Sequence, residues 1–487
     1  MKQVKISFIP VALCLVFFMF LHLNVAAATH PRDLTYPELT YNPPRGEDFR
    51  HTLPHGLVAY VAADPILPII ELKVLIKGGI AHDPAEKAGL TELTFHSLLA
   101  GGTTLWPGAE LQEKLDLLGA ALEVEVEDLT TTLHLSGMSR DRDSLLKILA
   151  EVLLHPVFES NGVEKVRAHV LQEWSNNFYR PNFVARETFK QLLFGNNHPL
   201  SQCPTASSIK KISIADMAAH YKRIVTPANV ILSLAGDFDE QGMVKQLSTH
   251  LKNWQGPNPE LPVIKTDPLT FTPGVYLRPM PINQGFIILG HGGIKQSDPD
   301  FAAINMMTYI LGSGSFSSRI MRRVRSDEGL AYSAGAYFDH YGELNGLFKA
   351  YTQTKSVSVP FAISIIMEEL RKITRTEPES EELNRAINAL KDSITRYFVT
   401  KFDSMSTFAE LEQNKFSLER FTRLREQYQA VTATKIMAMG KKHIRPEQMV
   451  ILIVGNPDLV QKGDGIHDVI LANFGKITLL PPLKFEE

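Results

Sequence analysis

Apolar residues recur along this chain with two different periods. Leu122, Val124 and Val126 alternate with Glu123, Glu125 and Glu127, the two-residue period of a strand with one buried face. Residues 69–76, 286–289 and 330–338 also read as strands, and the apolar run 450–454 is strand-sized. Within 381–393, by contrast, Leu383, Ala386, Ile387 and Leu390 fall at helical spacing, as on a helix face packed against something. Strands 69–76 and 286–289 each lead into a Gly-Gly pair, Gly78-Gly79 and Gly292-Gly293, and then into Asp83-Pro84 and Asp298-Pro299. Asp before Pro predicts a helix that opens there, capped by the aspartate with proline at its first position. Strands interleaved with helices in this way point to α+β or α/β units.

Both patterns occur twice. Pro227-Ala228-Asn229 leads through an apolar run into Gly236 and Asp239, and Pro446-Glu447-Gln448 leads into Gly455 and Asp458 at an offset of 219 residues. The Gly-Gly-Ile and Asp-Pro echo lies at an offset of 214–215. Two echoes in one order at nearly one offset indicate duplication. Between the halves, residues 256–274 hold Pro257, Pro259, Pro262, Pro268 and Pro273, a density that favours extended backbone. The expected organisation is therefore a leader over 1–28, a first domain over 29–255, a linker over 256–274 and a second domain over 275–487.

The leader follows from the amino-terminal pattern. Lys2 and Lys5 precede an apolar run over 8–21 and then Val25-Ala26-Ala27-Ala28, the three parts of a secretory signal peptide. The run contains Pro10 and falls short of bilayer-spanning length, so no permanent membrane anchor is expected. Cleavage near Ala28 would leave a periplasmic or secreted chain with Cys203 as its one cysteine, which excludes a disulfide-stapled scaffold. Cys203 reads as a small, partly buried residue rather than a reactive thiol. The 487 residues suggest two to four folding units, and 50 Lys and Arg against 53 Asp and Glu leave no basic excess for binding nucleic acid.

Residues 89–103, Gly-Leu-Thr-Glu-Leu-Thr-Phe-His-Ser-Leu-Leu-Ala-Gly-Gly-Thr, carry the most chemical information. The segment resembles the pitrilysin (insulinase) family of zinc peptidases, whose inverted H-x-x-E-H motif lies on a helix between Gly-Leu and Gly-Thr. There two histidines one turn apart bind zinc and the glutamate activates water. By resemblance the first histidine falls on Glu92, the base on Phe95 and the second histidine on His96. The third ligand, a glutamate on a later helix, falls on Val166 in the run 163–173. Glu92 and His96 share a helical face at i, i+4, but a phenyl ring takes no proton and a valine binds no cation. The chain itself is therefore expected to hold no metal or other cofactor.

In the second half, residues 312–319 read Gly-Ser-Gly-Ser-Phe-Ser-Ser-Arg and lead to Arg325 and, seven residues on, Tyr332. This resembles the family's carboxyl-terminal signature, which implies that the pair reaches the catalytic chamber and binds substrate or charge developing on the scissile carbonyl. Gly329 is placed to end the preceding helix in left-handed geometry. The resemblance also implies an α+β clamshell of two homologous lobes, each a largely antiparallel sheet covered by helices and joined by the Pro-rich linker. It implies a non-catalytic subunit that lends Arg325 and Tyr332 to a homologous partner with intact H-x-x-E-H, the zinc lying in the partner and a peptide being the substrate. Two other readings stand beside it: an active zinc metalloendopeptidase with altered ligands, and a peptide-binding scaffold without catalysis. The acidic strand 119–128 corresponds to the edge strand that pairs with substrate in active members. Its glutamates suit either basic peptides or simple protection of an exposed edge.

Overall fold

Strand-period segments from each half assemble into a six-stranded sheet. The computed structural model describes residue 34, residues 43–267 and residues 269–485, so the expected leader lies outside the described residues. The described elements belong to one compact unit beginning at Pro43. The first sheet comprises β1 (Arg50–Thr52), β2 (Val58–Ala63), β3 (Ile69–Lys77), β4 (Ala121–Val126), β5 (Thr130–Met138) and β6 (Val230–Gly236). The second comprises β7 (Gly274–Pro279), β8 (Gln284–Gly292), β9 (Ala334–Phe338), β10 (Leu347–Lys355), β11 (Val450–Gly455) and β12 (Ile477–Leu479). Their orders are β1-β2-β6-β3-β5-β4 and β12-β7-β11-β8-β10-β9, so five strands correspond one for one and only the outermost strand differs. β2–β6, β7–β11 and β7–β12 are parallel and the remaining pairs antiparallel.

The repeated motifs have physical causes in this fold. Pro227 and Pro446 begin short turns that feed β6 and β11, the third strand of each order. A Cβ on Gly79 would lie 2.1 Å from Glu127 O, and one on Gly293 would lie 2.9 Å from Gly346 O. In both halves the second glycine lets the chain cross close against a neighbouring backbone. The Asp-Pro pairs do not open helices as expected. Helix α1 (Leu90–Gly101) begins six residues after Pro84, and the Asp83 carboxylate reaches its first turn to accept from Gly89 N and Thr91 N at 3.1 Å. An Asp side chain can thus satisfy free helix N–H groups from outside the helix. In the second half a helix runs over Phe301–Thr308, and its N-cap residue Asp300 donates its N–H to Asp298.

Each half also lends a helix to the other's sheet. Helices α2 (Ser160–Asn177) and α3 (Pro181–Phe194) follow β5, and Phe183, Val184, Phe189 and Leu193 of α3 pack with Val450, Leu452 and Val454 of β11. Helix α4 (Lys401–Gln413) lies instead on the first sheet, burying Met405, Phe408 and Leu411 against Tyr60, Ala62 and Leu75. Thr188-Phe189 and Thr407-Phe408 stand at the same 219-residue offset as the proline motifs. Such covering explains why β11, Val-Ile-Leu-Ile-Val-Gly, is buried throughout: Ile451 and Ile453 face one core, and Val450, Leu452 and Val454 face α3. The Arg50 guanidinium adds a bidentate contact from the first sheet to Glu412 on α4, at 2.7 and 2.8 Å. No helix among the described residues is long and apolar enough to cross a membrane.

Candidate functional site

Helix α1 presents Glu92, Phe95 and His96 in three different environments. Phe95 is 0% exposed, with its ring centroid 5.7 Å from that of Tyr221 in the first-half core. His96 is reached by solvent and makes no hydrogen bond to another described residue. Glu92 is half-buried, and the Trp174 indole N–H of α2 donates to its carboxylate at 2.6 Å. Burial pushes Glu92 up to about 7; the indole donor opposes the rise, and the Glu173 and Asp83 charges add to it. Protein packed around the His96 ring lowers its pKa, Glu173 pulls it back up and His169 adds to the fall.

The carboxylate that the fold brings to Glu92 and His96 is Glu173. Val166, two helical turns earlier on α2, instead packs among hydrophobic side chains of two cores. Glu92, Glu173 and Trp174 line a cavity of about 490 Å³ whose far wall includes Tyr337, Asp339 and Lys349 of the second half. Lys190 donates to Asp128 at 3.1 Å, Arg186 to Glu187 at 2.8 Å, and Lys349 pairs with Asp339. These pairs neutralise one another inside the cavity wall. Cys203 donates to Glu187 at 3.7 Å, and burial pushes its thiol up to about 12, which disfavours the thiolate.

These groups do not fit zinc with an activating base. The base position is a phenyl in the core, and the first ligand position is a carboxylate already engaged by the Trp174 indole N–H, although Glu173 rather than Val166 stands beside it. Among the described residues no group of three or more His, Cys, Asp and Glu is arranged to hold a metal ion.

Arg325 and Tyr332 come together elsewhere. Residues Tyr309–Ser313 and Arg322–Asp327 are π-helical turns, which carry i→i+5 hydrogen bonds and recur at functional sites. The Gly-Ser-Gly-Ser segment begins within the first of these turns; a Cβ on Gly312 would lie 2.0 Å from Ala336 N of β9, so glycine is required for that approach. The Arg325 guanidinium lies 4.4 Å from the ring centroids of both Phe316 and Tyr332, and its Nη1 donates to Tyr332 O at 3.4 Å. Contact with two aromatic rings restrains the guanidinium while its other N–H groups remain available to donate. Tyr332 is 81% exposed and Phe316 60% exposed, and neither Arg325 nor Tyr332 is among the residues lining the cavity beside Glu92. Gly329 adopts the expected left-handed φ of 62°, but β9 begins at Ala334 rather than Leu330. Phe316, the second stacking ring, was not singled out from the sequence; its place two residues after Gly314 in the signature was the available signal.

Residues 59–198 match the family model described as Insulinase (Peptidase family M16), and residues 211–390 match Peptidase M16 inactive domain. The chain belongs to the M16 insulinase family. A relative named non-peptidase homolog YmxG, from Helicobacter pylori, is 25% identical over 397 residues, covering 80% of this chain and 90% of the relative. A probable mitochondrial-processing peptidase subunit alpha from Schizosaccharomyces pombe is 24% identical over 369 residues, 71% of this chain and 72% of the relative. The crystal structure of a peptidase M16 inactive domain from Pseudomonas fluorescens superposes with a TM-score of 0.76 at 21% identity, covering 84% of this chain and 97% of that one. The M16 fold of two six-stranded, mostly antiparallel sheets covered by helices is thus the fold seen here, as the resemblance implied.

Proposed function

We propose that this chain is the non-catalytic subunit of an exported, two-subunit M16 zinc metallopeptidase, and that it presents Arg325 and Tyr332 to the active site of a homologous partner. The observation that carries this reading is the contrast between the two halves. In the first, the position of the water-activating base is a core phenylalanine; in the second, an arginine lies against two exposed rings and pairs with no carboxylate among the described residues. A guanidinium and a phenol so held are donors suited to a peptide carbonyl or to the charge that grows on it during hydrolysis. A relative named as the alpha subunit of a processing peptidase, and another named a non-peptidase homolog, support a subunit role without independent catalysis.

The test is reconstitution. The purified chain alone should carry no stoichiometric zinc and cleave no peptide, and activity should appear on mixing with an M16 partner that has an intact H-x-x-E-H. Arg325→Ala and Tyr332→Phe should lower kcat/KM of the mixed complex about tenfold or more while leaving complex formation unchanged. Full activity with both substitutions would remove the proposed role of the pair. Stoichiometric zinc and chelator-sensitive cleavage by the chain alone would instead establish a peptidase built on Glu92, His96 and Glu173.

A further inference from the structure

Five arginines and lysines among the described residues are more than nine-tenths buried: Arg167, Lys190, Arg278, Arg319 and Lys349. Four of them face a carboxylate: Glu164, Asp128, Glu382 and Asp339 respectively. Arg278 is the exception. It lies on β7, on the sheet face that α3 covers, is 6% exposed and forms no ion pair with a described residue. Its Nη1 donates to Pro481 O at 2.6 Å, and its Nε, out of reach of solvent, has no acceptor. Burial alone acts on its ionisation, lowering its pKa, with no neighbouring charge entering. A buried cation without a counter-charge is costly, and natural folds usually pair it.

The guanidinium lines a cavity of about 950 Å³ between α3 and the carboxyl-terminal segment. Lys484 supplies a second cation, and among the described residues no Asp or Glu lines the cavity. Phe178, Leu192 and Leu483 furnish an apolar wall. We propose that this cavity binds a small organic carboxylate, Arg278 and Lys484 taking the carboxylate and the wall taking an apolar body. The Pro481 carbonyl engages Nη1; a carboxylate would engage the Nη2 donors. The site is separate from Arg325 and Tyr332, and the proposal does not depend on the function assigned to them.

Hexanoate is the probe, titrated calorimetrically into the full chain, with inorganic phosphate as the comparison. Saturable hexanoate binding is expected, weakened about tenfold or more in Arg278→Met, with phosphate binding more weakly. In the absence of hexanoate, Arg278→Met should raise Tm, because it removes an uncompensated buried charge while keeping the packing. A fall in Tm would show that Arg278 serves to hold Pro481, and would overturn the proposal. If Arg278→Met does not fold, Lys484→Met serves as the second variant, with weaker hexanoate binding expected and unchanged binding counting against the site. No saturable binding by the unsubstituted chain would overturn it, as would phosphate binding equal to hexanoate. Binding only after deletion of Glu486 and Glu487 would also overturn it, since the chain's own acidic end would then be the occupant.

Discussion

Restoring the base of the M16 motif should damage the fold before it restores chemistry. Phe95 is 0% exposed, and its ring meets Tyr221, whose hydroxyl already donates to Val152 O at 2.8 Å. Deleting a buried phenyl costs about 3–5 kcal/mol, and a glutamate of smaller apolar volume recovers only part of that. Its carboxyl would also stay protonated at pH 7, which for a group of ordinary pKa near 4.3 costs roughly 4 kcal/mol. The total is comparable with the ~5–15 kcal/mol by which whole domains are stable. Urea denaturation followed by tryptophan fluorescence should therefore show Phe95→Glu strongly destabilised, whereas Phe95→Leu, which keeps an apolar body, should fall by less than about 2 kcal/mol. The double variant Glu92→His with Phe95→Glu should gain no peptidase activity. A Phe95→Glu chain within about 1 kcal/mol of the original, or a double variant that binds zinc stoichiometrically and cleaves peptide, would refute the reasoning.

Glu92, raised to about 7, contributes stability that is fully present below its unfolded pKa and lost as pH rises through about 7. Glu92→Gln should abolish that loss, up to about 3 kcal/mol between pH 4.5 and 8 in denaturation midpoints. His220, buried and lowered to about 3, has the opposite sign: its contribution is present above pH 6.5 and lost as pH falls towards 3, so His220→Gln should flatten the acid limb. Glu382→Ala should cost about 3–5 kcal/mol by stranding the buried Arg319 guanidinium, and Arg319→Met with Glu382→Leu should restore most of it. Phe316→Ala, which removes one of the two rings stacked on Arg325, should leave Tm unchanged and lower kcat/KM of the reconstituted complex.

Much of this architecture was legible where one residue type has one physical use. Gly79 and Gly293 mark the same close approach in both halves, and the Pro227 and Pro446 motifs mark the same strand in both orders. The exchange of α3 and α4 between sheets was not legible, because helical spacing shows that a face is buried but not what buries it. The Asp-Pro pairs misled for a related reason: Asp83 does cap a helix, but from beyond Pro84, through a loop whose path depends on tertiary contacts. Val166 and Glu173 lie seven residues apart on α2, two turns along one face and roughly 10 Å from each other. Spacing on that helix could not choose between them; only the packing of α2 against α1, with Trp174 at Glu92, does.

The exchange of helices also bears on which surface can meet a partner. Separating the two halves would expose Phe189 and its neighbours on α3 together with Phe408 and its neighbours on α4, two apolar clusters that are buried only while the halves remain joined. Each large side chain so exposed costs about 1.5–3 kcal/mol, so opening the inter-sheet cavity is expensive. Within that cavity Lys190 and Lys349 are already neutralised by Asp128 and Asp339. Arg325 differs on both counts: its charge is met by rings rather than by a carboxylate, and the tyrosine beside it faces solvent. A donor kept unpaired, oriented and accessible suits a carbonyl that arrives from outside the chain, which is what a role in trans requires. If that reasoning is sound, cross-linking across the two halves, between α3 and β11, should leave the activity of the reconstituted complex intact. A bulky adduct on a cysteine placed at Phe316 should abolish it.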